Sequence, residues 1–76
     1  MIKVEIKYED ISELKYAEQH FYNVWICEKL KDAGVPIIGG PLLPKVDFSK
    51  GIVETYDDIK TRSKVYIWKP YIEQTI

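Results

Sequence analysis

A chain of 76 residues with 46% hydrophobic and 30% charged residues is sized for one folded domain, and this composition argues against disorder. The formal net charge of -1 argues against a protein that binds nucleic acid nonspecifically by neutralising phosphates. A core of this size is marginal, so that oligomerisation or a bound partner often supplies the missing burial.

The only cysteine, Cys27, cannot form an internal disulfide, and no cluster of Cys and His has the spacing of a structural metal site. We therefore expect no metal and no cofactor. The amino terminus alternates charged and apolar residues, unlike the core of a signal peptide, and no apolar run approaches the roughly 20 residues of a membrane span. These features predict a soluble, cytoplasmic protein.

Residues 1–8 alternate strictly and predict a β-strand. One face carries the apolar residues Ile2, Val4, Ile6 and Tyr8, and the other carries Lys3, Glu5 and Lys7. We expect the apolar face to meet a helix and the charged face to meet water, as in an antiparallel or mixed sheet with one bare side.

Residues 10–34 predict a single long helix. Asp10 and Glu13 have the spacing of a capping box, with Ser12 as the alternative cap. At the other end Gly34 can adopt the left-handed conformation that closes a helix, and Pro36 prevents continuation.

The apolar residues of this helix form two neighbouring stripes. The stripe predicted to face the sheet comprises Leu14, Ala17, Phe21, Val24 and Trp25. The second stripe comprises Tyr22, Ile26, Leu30 and Ala33. Together the two are too wide for one sheet face. We expect the following loop, another protomer or a partner to cover the second stripe.

Residues 35–50 contain three prolines and predict an ordered loop, with a short strand possible at residues 36–38. Its apolar residues are expected to pack on the second helix stripe. Gly39 and Gly40 could let the backbone approach a ligand, although no phosphate-binding motif accompanies them. A small-ligand pocket at this loop would need a second wall, which we expect only a dimer to supply. A simple turn is the alternative interpretation.

The last third of the chain predicts a β-hairpin, with strands at residues 51–57 and 64–69. We assign Val65 and Ile67 to the helix side, which places Tyr66 and Trp68 on the open side. The predicted fold is α+β in the order β-α-β-β, with one helix packed on a three-stranded sheet. The first and final strands are expected to be neighbours, because the hairpin strands already pair with each other.

No group of residues predicts an enzyme. His20 and Cys27 would lie roughly 10 Å apart along the helix, too far for a direct hydrogen bond. The carboxylates are explained by capping and turn formation.

We therefore expect a non-enzymatic protein-interaction module, such as a regulator, an inhibitor or an assembly component, that binds a protein partner or itself, with a dimer the simplest form. Size and composition are also typical of accessory proteins of phages and other mobile elements. The residues predicted to contact a partner are Tyr22, Ile26, Leu30, Tyr66 and Trp68.

Two other functions are compatible with the sequence. Lys60, Arg62 and Lys64 precede Tyr66 and Trp68, a basic and aromatic grouping that could contact nucleic acid, although Asp57 and Asp58 partly neutralise it. A small-ligand site at Gly39 and Gly40 is the third possibility.

Overall fold

The structure, a computed structural model, describes residues 1–15 and 19–72. It is mixed α/β with a small antiparallel sheet, which confirms the predicted class in outline. The elements in chain order are β1 (Ile2–Lys7), α1 (Tyr8–Ser12), α2 (Gln19–Asp32), β2 (Ile37–Ile38), β3 (Lys45–Val46), β4 (Gly51–Asp58) and β5 (Ser63–Pro70).

Three strands pair in the order β1-β5-β4, and both pairings are antiparallel. The central strand is therefore β5, with β1 and β4 at the edges. The register pairs Tyr66 with Val4 on one side and with Thr55 on the other. Since paired residues share a face, Tyr66 and Trp68 lie on the same face of the sheet as Ile2 and Val4. We refer to this face, which packs against α2, as the inner face.

The prediction of one uninterrupted helix over residues 10–34 is wrong. The first helix starts directly after β1 and has only five residues, with no side-chain hydrogen bond at its N-cap, Lys7. A turn at residues 13–15 follows it, where the amide of Leu14 donates to the carbonyl of Ile11 (2.9 Å). The hydroxyl of Ser12 also donates to the carbonyl of Glu9 (2.7 Å), a local bond that competes with regular helix. Residues 16–18, and with them the predicted contact of Ala17, lie outside the described residues.

The predicted end of the long helix is confirmed. Gly34 has a φ of 102°, and the amide of Val35 donates to the carbonyl of Leu30 (3.0 Å). This left-handed residue ends α2 and turns the chain back, so that Val35 is only 2% exposed.

The helix faces the sheet with the second stripe rather than with the one predicted, although Trp25 of the first stripe packs partly against the core. Ile26 and Leu30 are buried in the core, whereas Phe21 is 60% exposed. Because the turn at residues 13–15 separates α1 from α2, Leu14 does not fix the rotation of the longer helix. The rotation of α2 instead follows Ile26 and Leu30, which pack with Val35 beyond the glycine.

The face assignment of β5 is also wrong. Tyr66 is 9% exposed and Trp68 is 4% exposed, and both belong to the core on the inner face. The apolar side of β1 determines this, because the register aligns it with the two aromatic residues, whose large surface gains most from burial. The core cluster consists of Ile6, Ile26, Leu30, Val35, Val46, Tyr66 and Trp68.

The chain between α2 and β4 contains a second, two-stranded sheet in which β2 pairs antiparallel with β3. The short strand considered possible at residues 36–38 is present as β2, whereas the predicted order β-α-β-β omits β3 and a second helix. Val35 and Val46 pack into the core, as expected for a loop that covers the helix, with Ile37 packed partly against it. The remaining apolar residues of this segment point outward.

Candidate functional site: an anchored apolar loop and two grooves

The loop after α2 is fixed to the helix at its far end. The side-chain amide of Asn23 donates to the carbonyl of Pro44 (3.1 Å), and the thiol of Cys27 lies 3.6 Å from the same oxygen. At its base the amide of Asp47 donates to the carbonyl of Pro36 (2.9 Å), beside the pairing of β2 with β3. These bonds hold the segment between β2 and β3 against α2.

The tip of this loop presents two neighbouring leucines to solvent. Gly39 has a φ of 89°, and a side chain there would collide with the carbonyl oxygen of Leu43. The amide of Leu43 in turn donates to the carbonyl of Gly40 (3.2 Å). The glycine thus permits a tight turn from which Leu42 and Leu43 each project with 74% of their surface exposed.

Ile38, next to the tip, and Phe48, beyond the base of the same hairpin, are also exposed, with 41% and 57% of their surface accessible. We refer to Ile38, Leu42, Leu43 and Phe48 together as the loop surface. Sequence reasoning missed these residues, because it expected all apolar residues of the segment to pack inward. No sequence signal distinguished Leu42 and Leu43 from apolar residues that pack inward, because their exposure depends on the bonds that hold Pro44 to α2.

The molecule as a whole exposes more surface than its mass requires. The accessible surface is 5913 Å². A monomeric protein of 8.9 kDa is expected to expose about 4,800 Å², which leaves an excess of about 1,100 Å². Among the described residues, the exposed large apolar side chains include Leu42, Leu43, Phe48 and Ile59.

A groove of about 370 Å³ lies between α2 and the loop, and we refer to it as the loop groove. Its lining residues are Val24, Cys27, Glu28, Lys31, Ile37, Gly39, Gly40, Pro41 and Pro44. The second wall that was expected to require a dimer is provided by the helix of the same chain. Burial raises the pKa of the Cys27 thiol, which therefore stays protonated at neutral pH and is a poor nucleophile.

A second groove of about 290 Å³ lies between α2, β3 and β4, and we refer to it as the β4 groove. Three of the residues predicted to contact a partner, Ile26, Leu30 and Tyr66, come together in its lining. Burial raises the pKa of Tyr66, and a hydrogen bond with the half-buried Tyr22 raises it further, so the Tyr66 phenol remains neutral. Trp68, the fifth predicted residue, lies in the core and does not line either groove.

The basic residues of the β4–β5 turn are separated from the aromatic residues that were expected to assist them. Lys60 and Arg62 are exposed in the turn, where Asp58 accepts a hydrogen bond from the amide of Lys60 (3.0 Å). Tyr66 and Trp68 are buried beneath α2, so they cannot stack on nucleic-acid bases beside these cations. Lys64 lies opposite Asp57 in the register, which brings an acid next to it.

The face of the sheet turned away from α2, the outer face, carries a short polar network. Ser63, which is fully buried, donates to a carboxylate oxygen of Glu5 (2.6 Å), and its hydroxyl lies 2.6 Å from that of Thr61. Hydrogen bonds from Ser63 and then Thr61 hold the pKa of Glu5 below its ordinary value. Since Ser63 pairs with Lys7 at the end of the β1–β5 ladder, the network serves to fix strand register.

Within residues 1–15 and 19–72, no three side chains of His, Cys, Asp or Glu are grouped so that they could hold a metal ion. No helix in this part of the chain is long and apolar enough to cross a membrane. No family model matches the sequence, and no significant similarity to a curated protein or to a solved structure was found.

Proposed function

We propose that this protein is a non-enzymatic interaction module that binds another protein through the loop surface. The observation that carries this proposal is the exposure of Leu42 and Leu43 on a loop anchored at Pro44. Single exposed apolar residues are common on any protein. An apolar binding site presents several exposed apolar residues together. This loop presents two adjacent leucines on a fixed turn, and Ile38 and Phe48 are exposed on the same segment.

The anchoring matters for affinity. A loop that is held in one conformation before binding loses less conformational entropy when a partner covers it. The hydrogen bonds of Asn23 and Asp47 supply that order here.

A regulator, an inhibitor or an assembly component of a larger complex would all use such a site. Ile26, Leu30 and Tyr66 extend it, because they line the β4 groove together with Phe48 of the loop surface. In this proposal these three buried residues, which the sequence predicted to contact a partner, form the floor of the site. Binding is driven by burial of aliphatic and aromatic side chains, with few charged contacts.

The proposal is tested by capture of partners from the native host. We expect the wild-type chain to retain a specific protein and the double variant Leu42→Asp/Leu43→Asp to lose it, since two carboxylates would have to be desolvated in the interface. Ile59→Asp is the matched control, because Ile59 is 84% exposed in the β4–β5 turn, outside the loop surface. Equal capture by the wild type and the double variant would contradict the proposal.

Self-association through the same surface is decided by light scattering on the purified chain. A mass near twice 8.9 kDa that returns to the monomer value in the double variant identifies a second copy as the partner. A monomer mass at high micromolar concentration assigns the loop surface to a different protein.

A small-ligand binder is the second candidate, and the loop groove is the observation that favours it. Its volume of about 370 Å³ lies within the range of roughly 300–1,000 Å³ found for ligand pockets. Glu28 and Lys31 place one charge of each sign among apolar walls. A fragment screen by NMR tests this candidate, with Val24→Trp to fill the groove. Shifts at Gly39 and Gly40 that vanish in this variant would support it.

A further inference from the structure

The strand β4 has a free edge. Within the described part of the chain it pairs only with β5, although it is eight residues long. In an antiparallel pair, the backbone amides and carbonyls of alternate residues point away from the partner strand. The outer edge of β4 therefore offers a row of donors and acceptors to an incoming strand.

The inner face of β4 is also open. Thr55 and Asp57 are exposed even though they lie on the same face as the buried Tyr66. The helix α2 covers β5 but not this part of β4, where Val53 and Thr55 line the β4 groove. A strand added at this edge would thus find backbone partners and, beside them, a cavity for its inward side chains.

The groove also contains residues of β3, which precedes β4 by only four residues. Lys45 and Val46 line it together with Val53, yet β3 pairs with β2 and not with β4. The two consecutive strands are thus splayed apart, with a cavity between them where a hairpin would have a ladder. Its volume of about 290 Å³ is large enough for several side chains of an added strand.

The charges of β4 determine which strand fits. Glu54, Asp57 and Asp58 are its only charged residues, and Lys69 offsets Glu54 through an exposed ion pair (3.0 Å). An added strand would place alternate side chains beside Glu54 and Asp58 on the outer face and the others in the groove. Opposite charges across a strand pair are stabilising and like charges are destabilising.

We infer that β4 and the β4 groove bind an extended segment of a partner protein in which apolar and basic residues alternate. The segment adds to the sheet as a fourth strand, with its apolar side chains in the groove and its basic side chains beside Glu54 and Asp58. This inference rests on the proposed function and gives the chemistry of the partner. The acidic residues of β4 disfavour pairing of this edge with acidic strands, including β4 of a second copy of the chain.

Fluorescence anisotropy with labelled heptapeptides tests the inference directly. A peptide that alternates lysine and valine should bind saturably. A matched peptide that alternates glutamate and valine should bind at least about tenfold more weakly, because its charges repel the edge. Of two methylated versions of the lysine-valine peptide, one N-methylated at its valine amides and one at its lysine amides, one should also lose binding, because alternate amides of an added strand point toward β4 and form the ladder. Equal binding of the glutamate-valine peptide, or of both methylated peptides, would overturn the inference.

Two variants of adjacent residues locate the site. Thr55→Trp fills the β4 groove from an exposed position and should abolish binding of the lysine-valine peptide. Tyr56→Trp is the control, since Tyr56 is exposed on the outer face of the same strand. Circular dichroism verifies that both variants fold. Unchanged peptide binding by Thr55→Trp would contradict the inference. A wild-type dimer that binds no peptide, and that Thr55→Trp converts to a monomer, would also contradict it.

The two proposals can fail separately. If the peptides do not bind but Leu42→Asp/Leu43→Asp still loses the captured protein, strand addition is wrong and the proposed function stands. If the double variant keeps its partner, the loop surface is wrong whatever the peptides do.

Discussion

Trp68 should be the most costly aromatic residue to truncate. It is 4% exposed, and its ring packs so closely on Gly51 that a Cβ there would lie 2.6 Å from Cη2 of the indole. Truncation of a buried aromatic residue to alanine costs about 3–5 kcal/mol. A domain of this length is stable by about 4–11 kcal/mol, so Trp68→Ala removes a large part of the total. This reverses the expectation from the sequence, which placed Trp68 on the open side.

Trp25→Ala is the matched control. Trp25 is only partly buried, and Lys29 Nζ lies 5.5 Å from its ring centroid, an exposed cation-π contact worth about 0.5–1 kcal/mol. We expect this variant to cost about 1–2 kcal/mol, within the usual range for single substitutions.

Thermal melts followed by circular dichroism measure both variants. A loss of 1 kcal/mol lowers the Tm of a domain of this size by about 4–8 °C. Trp68→Ala should therefore lower it by about 12 °C or more, and Trp25→Ala by clearly less. A Trp68→Ala variant that melts within a few degrees of the wild type would refute the burial of β5 against α2.

Three further predictions concern packing, titration and nucleic acid. Gly51→Ala should cost about 1–3 kcal/mol in chemical denaturation, because the added methyl meets the backbone carbonyl of Lys69 as well as the indole. Ser63→Ala should raise the pKa of Glu5 towards its ordinary value of 4.5, as measured by NMR titration. Because the pKa of Glu5 is lower in the folded than in the unfolded protein, its contribution to stability is present above the unfolded pKa and is lost as the pH falls through the folded pKa. The variant should therefore lose less stability on acidification than the wild type. Anisotropy with mixed oligonucleotides should show no submicromolar affinity near physiological salt, and a submicromolar dissociation constant that weakens steeply with salt would contradict this.

The sequence predicts the mixed fold because its strongest signals are local. The alternation of β1, the glycine that ends α2 and the apolar strands of the hairpin each depend on residues within a few positions of one another. The break in the helix at residues 13–15 could not be predicted from such local signals. A helical pattern continues through it, and what ends α1 is the competition between backbone and Ser12 hydrogen bonds.

The orientation of each element depends on contacts between distant residues, and this is where the sequence analysis failed. β-Branched residues favour strands, but they do not show which face of a strand is buried. The pairing of Val4 with Tyr66 settles the face of β5 and could have been inferred from the apolar side of β1. The exposure of Leu42 and Leu43 could not have been inferred from the sequence, because it depends on the bonds from Asn23 and Cys27 to Pro44.

Hydrogen-deuterium exchange of the chain with and without its captured partner is the most direct test of the central claim, that the loop surface and the adjoining β4 groove bind a protein. We predict that the partner slows exchange at residues 38–48 and along β4, because a bound chain would shield the loop and the free edge of this strand from solvent. The β4–β5 turn at residues 59–62 should exchange at the same rate in both samples. Slower exchange confined to β1 and this turn, with residues 38–48 unchanged, would contradict the account.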